Sequence, residues 1–235
     1  MAILAQWDAV GNKKFEAGVN RGMLFKVTAN GTYGTGKVWD GLTAVNESPS
    51  GAEENKHYAD NIKYASILSA EDFGFTIEAF QSPKEFDECD GTAEIAPGVT
   101  VSQQSRKAFG FSWRTLIGSD VADLGDAGYI IHIAYGCKAQ PSEKSRGTVN
   151  ESPEPTGFSW TVATTPVNVA GKKPTAHLQI VSTGVDATKL AQFEEILYGK
   201  AAVEADPEHN ISAADAVEAR LPLPDEIATF FAAQG

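Results

Sequence analysis

Hydrophobic and polar residues alternate in several short runs, and this pattern predicts a mainly β chain. The clearest run is 73–79, where Phe75, Ile77 and Ala79 fall on one face, with glycine, threonine and glutamate on the other. Residues 128–137 are apolar on both faces, which indicates a central strand. The same reasoning predicts strands over 23–28, 62–68, 107–117, 158–162 and 174–182.

Two of these strands come with a prediction of which side chains are buried. Met23, Phe25 and Val27 share one face of their strand. In 174–182, alanine, leucine and isoleucine point inward, so His177 points outward. Both patterns are typical of strands with one buried face.

A short helix near 82–90 is predicted directly after the clearest strand. Ser82 begins a capping box, in which its hydroxyl accepts from the Glu85 amide and the Glu85 side chain reaches back. Proline occupies the first helical position, and Gly91 suits the left-handed residue that closes a helix. We expect this helix to plug or flank the β core.

The last fifty residues differ, because helical and acidic patterns replace the alternation. Asp186 is predicted to cap a helix near 186–198, a second helix is predicted over 212–219, and a last short helix near the C-terminus. From Asp186 onward, ten Asp or Glu residues stand against three Lys or Arg. We therefore predict a β-sandwich domain over 1–199 and an acidic arm with short helices over 200–235.

Two long polar inserts interrupt the predicted strands, at 45–60 and 138–155. The first contains four carboxylates together with proline and glycine, and it is predicted to be a loop. Loops of this length inside a compact domain are typically functional or mobile. For any single residue in them, a solvated surface position is the simpler interpretation.

Composition narrows the classes of partner. The net charge of −12 disfavours binding to nucleic acid, because the affinity of proteins for nucleic acid comes from Lys and Arg residues that contact phosphates. No stretch approaches a membrane span, and the N-terminus lacks the features of a signal peptide.

Cys89 and Cys137 have no close spacing and are interpreted as reduced, buried side chains, a disulfide being the lesser alternative. The length of 235 residues fits one large β domain or two small ones.

No catalytic constellation emerges from the sequence. GxSxG, P-loop and GxGxxG motifs are all missing. The acidic run of Asp87, Glu88 and Asp90 lacks the ligand spacing of a calcium loop. The histidines have no HxxxH or HxH spacing, and the two in predicted strands are interpreted as structural. The four are His57, His132, His177 and His209. We therefore predict no enzyme and no catalytic, cofactor-binding or metal-binding residue.

The order of many segments, and the amino-acid sequence within each, resemble those of one protein family. The segments are VWDGLTAVNESPSGAE, HYADNIKYASILSAEDFGFTIEAFQSPKEFDECDG, QQSRKAFGFSWRTLIG, GYIIHIAYGCKAQPSEKS, TVNESPEP and SWTVATTPV. From about Trp7 to 221–227, the chain resembles the major tail protein, or tail tube protein, of long non-contractile-tailed bacteriophages (siphophages). No catalytic motif accompanies the resemblance.

This resemblance implies a structural virion protein. It implies a mainly β, sandwich or barrel-like tail-tube fold with one flanking short helix and a helical C-terminal segment. Six copies of such proteins form a ring, and rings stack into a helical tube through which the genome leaves. Expected partners are other copies of the chain, a tape-measure protein, a tail terminator and distal tail proteins, with DNA passing unbound through the lumen. The expected location is the virion tail, assembled in the host cytoplasm.

Physical considerations agree with this expectation. An acidic channel repels phosphates and keeps DNA off its wall, and sheets shared between copies would pair exposed edge strands. The alternative hypothesis is a β-sandwich binding module that recognises carbohydrate or another virion protein. It predicts an exposed aromatic cluster, for which Tyr33, Trp39 and Tyr58 are candidates. A hydrolase would need a cleft with convergent polar groups, and the sequence indicates none.

Overall fold

The structure is a computed structural model that describes residues 7–148, 155–203 and 214–232. Within these ranges the chain is mainly β, as predicted, with fourteen strands and two α-helices. The strands are β1 (Lys14–Lys26), β2 (Lys37–Trp39), β3 (Leu42–Glu47), β4 (Ser50–Gly51), β5 (Glu54–Ala59), β6 (Ile62–Leu68), β7 (Glu71–Asp72), β8 (Gly74–Ala79), β9 (Ala93–Ala96), β10 (Val99–Val101), β11 (Phe109–Ser119), β12 (Tyr129–Ala139), β13 (Phe158–Ala163) and β14 (His177–Val181). The helices are α1 (Ala187–Tyr198) and α2 (Pro224–Ala232), and single 3₁₀ turns lie at Lys84–Phe86 and Ser182–Gly184.

Eight strands form an antiparallel sheet in the order β2-β1-β11-β12-β13-β8-β3, with β14 also paired to β12. The first half of β12 pairs with β14, whereas Lys138 and Ala139 at its end pair with β13. Between them lies Gly136, whose φ of 57° is in the left-handed region that favours glycine. A Cβ atom there would lie 2.3 Å from the Thr165 carbonyl oxygen. Glycine therefore lets β12 pass from one layer of the fold to the other.

The sheet folds over on itself and encloses an aromatic core. Phe75 on β8 and Trp113 on β11 belong to strands that are not neighbours, yet their ring centroids are 5.5 Å apart. Trp39 on β2 likewise lies 5.4 Å from Trp160 on β13. All four rings are buried. The two halves of the sheet thus pack face to face, which is a sandwich arrangement.

A second core covers the outer face of β1, β12 and β14, beneath α1 and the C-terminal segment. Its buried members are Met23, Phe25, Ile131, Ile133, Tyr135, Ile180, Leu190, Phe193, Leu197, Ala219, Leu221 and Ile227. Leu24 belongs to the first core, so β1 is buried on both faces here, although the sequence pattern indicated one. The cause is the helical layer, which covers a face that would otherwise meet solvent.

The predicted boundaries of helix α1 are confirmed. The Asp186 carboxylate accepts a hydrogen bond from the Lys189 amide at 3.0 Å, which satisfies one free donor of the first turn. Gly199 follows the last helical residue with a φ of 82°. Leu190 and Phe193 on its apolar stripe are buried against the sheet.

Two other helix predictions are wrong in part. Near 82–90 the chain forms only the 3₁₀ turn and further turns, because Pro83 takes the N-cap position and no side chain caps it. Ser82 is therefore one residue too early to act as the predicted cap. The same segment still buries its apolar residues in the first core and ends at Gly91 with a φ of 76°.

In the predicted helix over 212–219, the described residues 214–219 are extended. Ala214 and Val217 form isolated β-bridges with Val203 and Lys200. These backbone pairs give the segment partners outside itself, which replaces the internal bonding of a helix. Residues 204–213 lie outside the described residues.

Residues 48–72 form a two-stranded β-ribbon, where the sequence predicted a polar loop over 45–60. In the β-ribbon, β5 pairs with β6 and β4 with β7. Asp60 and Asn61 both have positive φ, the backbone pattern of a tight hairpin turn. Apart from the half-buried Ala65, every residue of the β-ribbon is exposed. The strand predicted over 62–68 is confirmed as β6, whereas β5 is exposed on both faces and has no alternation that would have indicated a strand.

The second insert, predicted as a loop over 138–155, contains no strand beyond the end of β12 in its described residues, and 149–154 lie outside them. Cys89 and Cys137 are both free and buried, which confirms their interpretation. No helix in the described parts of the chain is long and apolar enough to cross a membrane.

Candidate functional site

Glu47, His132 and His177 converge at the end of the sandwich where β3 leads into the β-ribbon. His132 Nδ1 lies 3.3 Å from His177 Nε2. Glu47 Oε1 lies 3.5 Å from the first of these nitrogens and 3.7 Å from the second. No local motif marks this cluster, because its members are remote along the chain. Of the remaining histidines, His57 is exposed on the β-ribbon and His209 lies outside the described residues.

Strand register places the two imidazoles side by side. In the ladder between β12 and β14, His132 is opposite Gln179, and His177 lies two residues before Gln179. Side chains two apart on a strand share a face, so the histidines are diagonal neighbours. The prediction that His177 points outward is wrong. The other half of the sandwich covers that face of β14 and leaves only 13% of the His177 side chain exposed.

Aromatic rings hold both imidazoles in place. The Trp113 ring lies nearly parallel to His132, with centroids 5.0 Å apart, and nearly parallel to His177 at 5.6 Å. Phe73 stacks on His177 with centroids 4.4 Å apart. Stacking of this kind, in a close-packed interior, restricts ring rotation. The orientation of the ring nitrogens is therefore fixed in the absence of a ligand.

A hydrogen-bond relay fixes the tautomer of His132. Its Nε2 lies 2.9 Å from Thr115 Oγ1, and the Thr115 hydroxyl donates its single proton to the Glu16 carboxylate. The hydroxyl oxygen must then accept from His132 Nε2–H. His132 Nδ1 consequently carries a lone pair, and this lone pair faces His177 and Glu47.

Burial makes both imidazoles poor bases. The pKa of His177 is lowered to about 4, mainly by burial and to a smaller extent by the neighbouring His132. Burial also lowers the pKa of His132, against the opposing effect of the Glu16 carboxylate. Burial raises the pKa of Glu47, and the charge of Glu16 adds to that rise. At neutral pH both histidines are therefore uncharged, the form in which imidazole accepts a proton or a metal ion.

Other groups that the sequence singled out form no second site. Asp90 pairs with Arg106 at 3.2 Å and with Lys144, and Glu88 pairs with Lys26 at 3.1 Å and also with Lys107. These carboxylates are neutralised by cations of the same chain. They therefore act as local ion pairs at the 3₁₀ turn.

The aromatic cluster proposed for a binding module is not exposed as predicted. Trp39 is buried in the first core, where its indole nitrogen donates to the Gln81 carbonyl. Tyr33 is half-buried, and its hydroxyl accepts from the Gly136 amide at 2.9 Å. Tyr58 is exposed on the β-ribbon. Large aromatic residues in a β chain are as well suited to the core as to a surface, and the sequence does not distinguish the two.

Sequence reasoning overlooked Glu47, Glu16 and Thr115 as members of a site. The one available signal was the presence of a histidine within each of two apolar strands, at 132 and 177. A buried polar side chain needs a partner, so such positions indicate an unseen neighbour. Neither a protein-family model nor a curated protein matches the sequence of this chain.

Proposed function

We propose that this chain is a structural virion protein, whose hexameric rings stack into the tail tube of a siphophage and form the conduit for DNA ejection. The observation that carries the proposal is the β-ribbon, which exposes apolar side chains on strands that pack on neither core. Its large exposed apolar residues are Tyr58, Ile62, Tyr64, Ile67 and Leu68. The mainly β sandwich is of the class that the resemblance implies.

The β-ribbon is suited to docking on another copy of the chain. An isolated two-stranded ribbon is only marginally stable in water, so one with exposed apolar residues gains from a partner. Ile62, Tyr64 and Leu68 share one face of β6, and burying three such side chains stabilises a contact by on the order of 5 kcal/mol before the cost of association. Such contacts, repeated around a ring, would favour the stacking of rings.

Open sheet edges provide a second mode of self-association. In the described residues, β3 pairs only with β8, and β14 pairs only with β12. No further strand in that part of the chain pairs with the other edge of either one, and unpaired edges readily accept an additional strand. Closed rings would use such edges repeatedly through one symmetric contact.

The charge of the chain fits a conduit for DNA. A net charge of −12 per copy gives a strongly acidic assembly. Phosphate groups are repelled by such a surface, so the duplex passes without adhering. The proposal therefore includes negligible affinity for DNA at physiological salt.

Electron microscopy and analytical ultracentrifugation test the proposal. We expect the wild-type chain to form six-fold rings and tubes as concentration rises, and a Tyr64→Ser/Ile67→Ser variant to form rings that do not stack into tubes, with an unchanged melting temperature. Val121→Ser is the matched control, because Val121 is 63% exposed but lies outside the β-ribbon. A wild-type protein that stays a monodisperse monomer under every assembly condition would refute the proposal.

A binding module for carbohydrate or another virion protein is the second candidate. The exposed aromatic rings of Tyr58 and Tyr64 favour it, since such rings form contacts with sugars and proteins. Glycan-array binding that disappears in Tyr58→Ser, together with a monomeric wild-type protein, would support it over the tube subunit.

A further inference from the structure

We propose that Glu47, His132 and His177 bind a divalent transition-metal ion, for which Zn²⁺ is the best match. The site would join β12 and β14 to the last residue of β3, at the root of the β-ribbon. The site lies next to the β-ribbon and the strands that are invoked for tube assembly, but ion binding goes beyond that function.

The separations of the three ligand atoms fit a tetrahedral ion. Zinc bonds to nitrogen and carboxylate oxygen are about 2.0–2.2 Å long, which places neighbouring tetrahedral ligands about 3.3–3.5 Å apart. Here the two histidine nitrogens are 3.3 Å apart, and Glu47 Oε1 lies 3.5 and 3.7 Å from them. An ion therefore fits with shifts of a few tenths of an ångström, and the fourth position is left for water.

Charge and protons also favour a cation at this point. The relay through Thr115 places the proton of His132 on Nε2, so its Nδ1 lone pair faces the Glu47 carboxylate directly. His177 Nε2 carries at most one proton, and that proton cannot satisfy both acceptors at separations of 3.3 and 3.7 Å. A metal ion would satisfy all three groups at once.

The surroundings match those of protein metal sites. Two neutral imidazoles and one carboxylate form a donor set that suits zinc and its neighbours in the first transition row. A metal-bound histidine commonly donates its other N–H to an oxygen that is held in turn by a carboxylate. Thr115 and Glu16 provide that arrangement for His132. The stacked Trp113 and Phe73 rings keep the ligands oriented.

Calorimetric titration of EDTA-treated, full-length protein with Zn²⁺ tests the site, with Co²⁺ absorption as a second readout of coordination. We expect one ion per chain in the wild type. Glu47→Gln and His177→Gln should weaken binding at least about 100-fold, and Thr115→Val roughly 10- to 100-fold. His57→Gln is the matched control, since it removes an exposed histidine outside the site and should bind like the wild type.

Two results would overturn the site. One is the absence of stoichiometric Zn²⁺ uptake by the wild type, and the other is equal affinity in Glu47→Gln and His57→Gln. Near-UV circular dichroism checks folding, and the partly exposed Glu47 gives a decisive variant even if His177→Gln fails to fold. Electron microscopy of the EDTA-treated protein separates this proposal from the tube proposal, because tubes without ion binding would refute the site alone.

Discussion

Packing of the C-terminal segment on the sheet can be tested at Gly110, which sits directly beneath Leu221. A Cβ atom added at Gly110 would lie 2.2 Å from Leu221 Cδ2 and 3.0 Å from Tyr33 Cε1. Such overpacking costs about 1–3 kcal/mol, so we expect Gly110→Ala to destabilise the protein by that amount. Leu221→Ala alone leaves a cavity in the second core and should cost about 2–5 kcal/mol.

The double variant distinguishes this contact from general damage. With Leu221 shortened, the new methyl group at Gly110 enters the vacated space, and the cost should approach that of Leu221→Ala alone. We therefore expect a coupling energy of about 1–2 kcal/mol between the two sites. Urea unfolding of the four proteins, followed by tryptophan fluorescence, measures it.

Gly157→Ala provides the control, because a Cβ atom there meets nothing within 4 Å. Its unfolding free energy should match the wild type within about 0.5 kcal/mol. If the costs of Gly110→Ala and Leu221→Ala simply add, the C-terminal segment does not pack over Gly110 in solution. The second core would then need another explanation.

Two further predictions concern the buried thiols of Cys89 and Cys137. A thiol reagent at pH 8 should label neither in the native protein and both in denaturant, because both side chains are buried; rapid native labelling would contradict the packing. Burial raises the pKa of Cys89 from 9.0 to about 12, so stability from the neutral thiol is present below pH 9 and is lost as pH rises toward 12. At pH 10 the free energy of unfolding should be lower by about 1 kcal/mol. This decrease should be absent in Cys89→Ala when urea unfolding is measured as a function of pH. Parallel curves for the two proteins between pH 8 and 10 would show that the thiol is not buried.

Elements with local signals were predictable from the sequence. Helix α1 has a capping aspartate, an apolar stripe and a closing glycine, all within fourteen consecutive residues (186–199), and its bounds are as predicted. The inward face of β8 followed from alternation alone. In both cases the residues that decide the structure are neighbours in the chain.

Features that depend on remote partners were not predictable in this way. Leu24 is buried only because β8 and β13 fold over it, and Met23 only because α1 and the C-terminal segment cover the opposite face. The β-ribbon forms through backbone pairing between residues that are exposed on both sides. The proximity of His132 and His177 to Glu47 depends on how β3 is placed over β12 and β14, which no single-strand pattern encodes.

Glu47 lies at the root of the β-ribbon, so a change in its position would alter the direction in which the β-ribbon extends. From Ser48 to the turn at Asp60 the chain can reach about 40 Å at roughly 3.3 Å per residue. A tilt of about 10° at the root would displace the tip by about 7 Å, which exceeds the spacing between paired strands. A small change in the position of Glu47 at the root would therefore produce a much larger displacement of the tip. That displacement would determine which region of a neighbouring molecule the tip can contact.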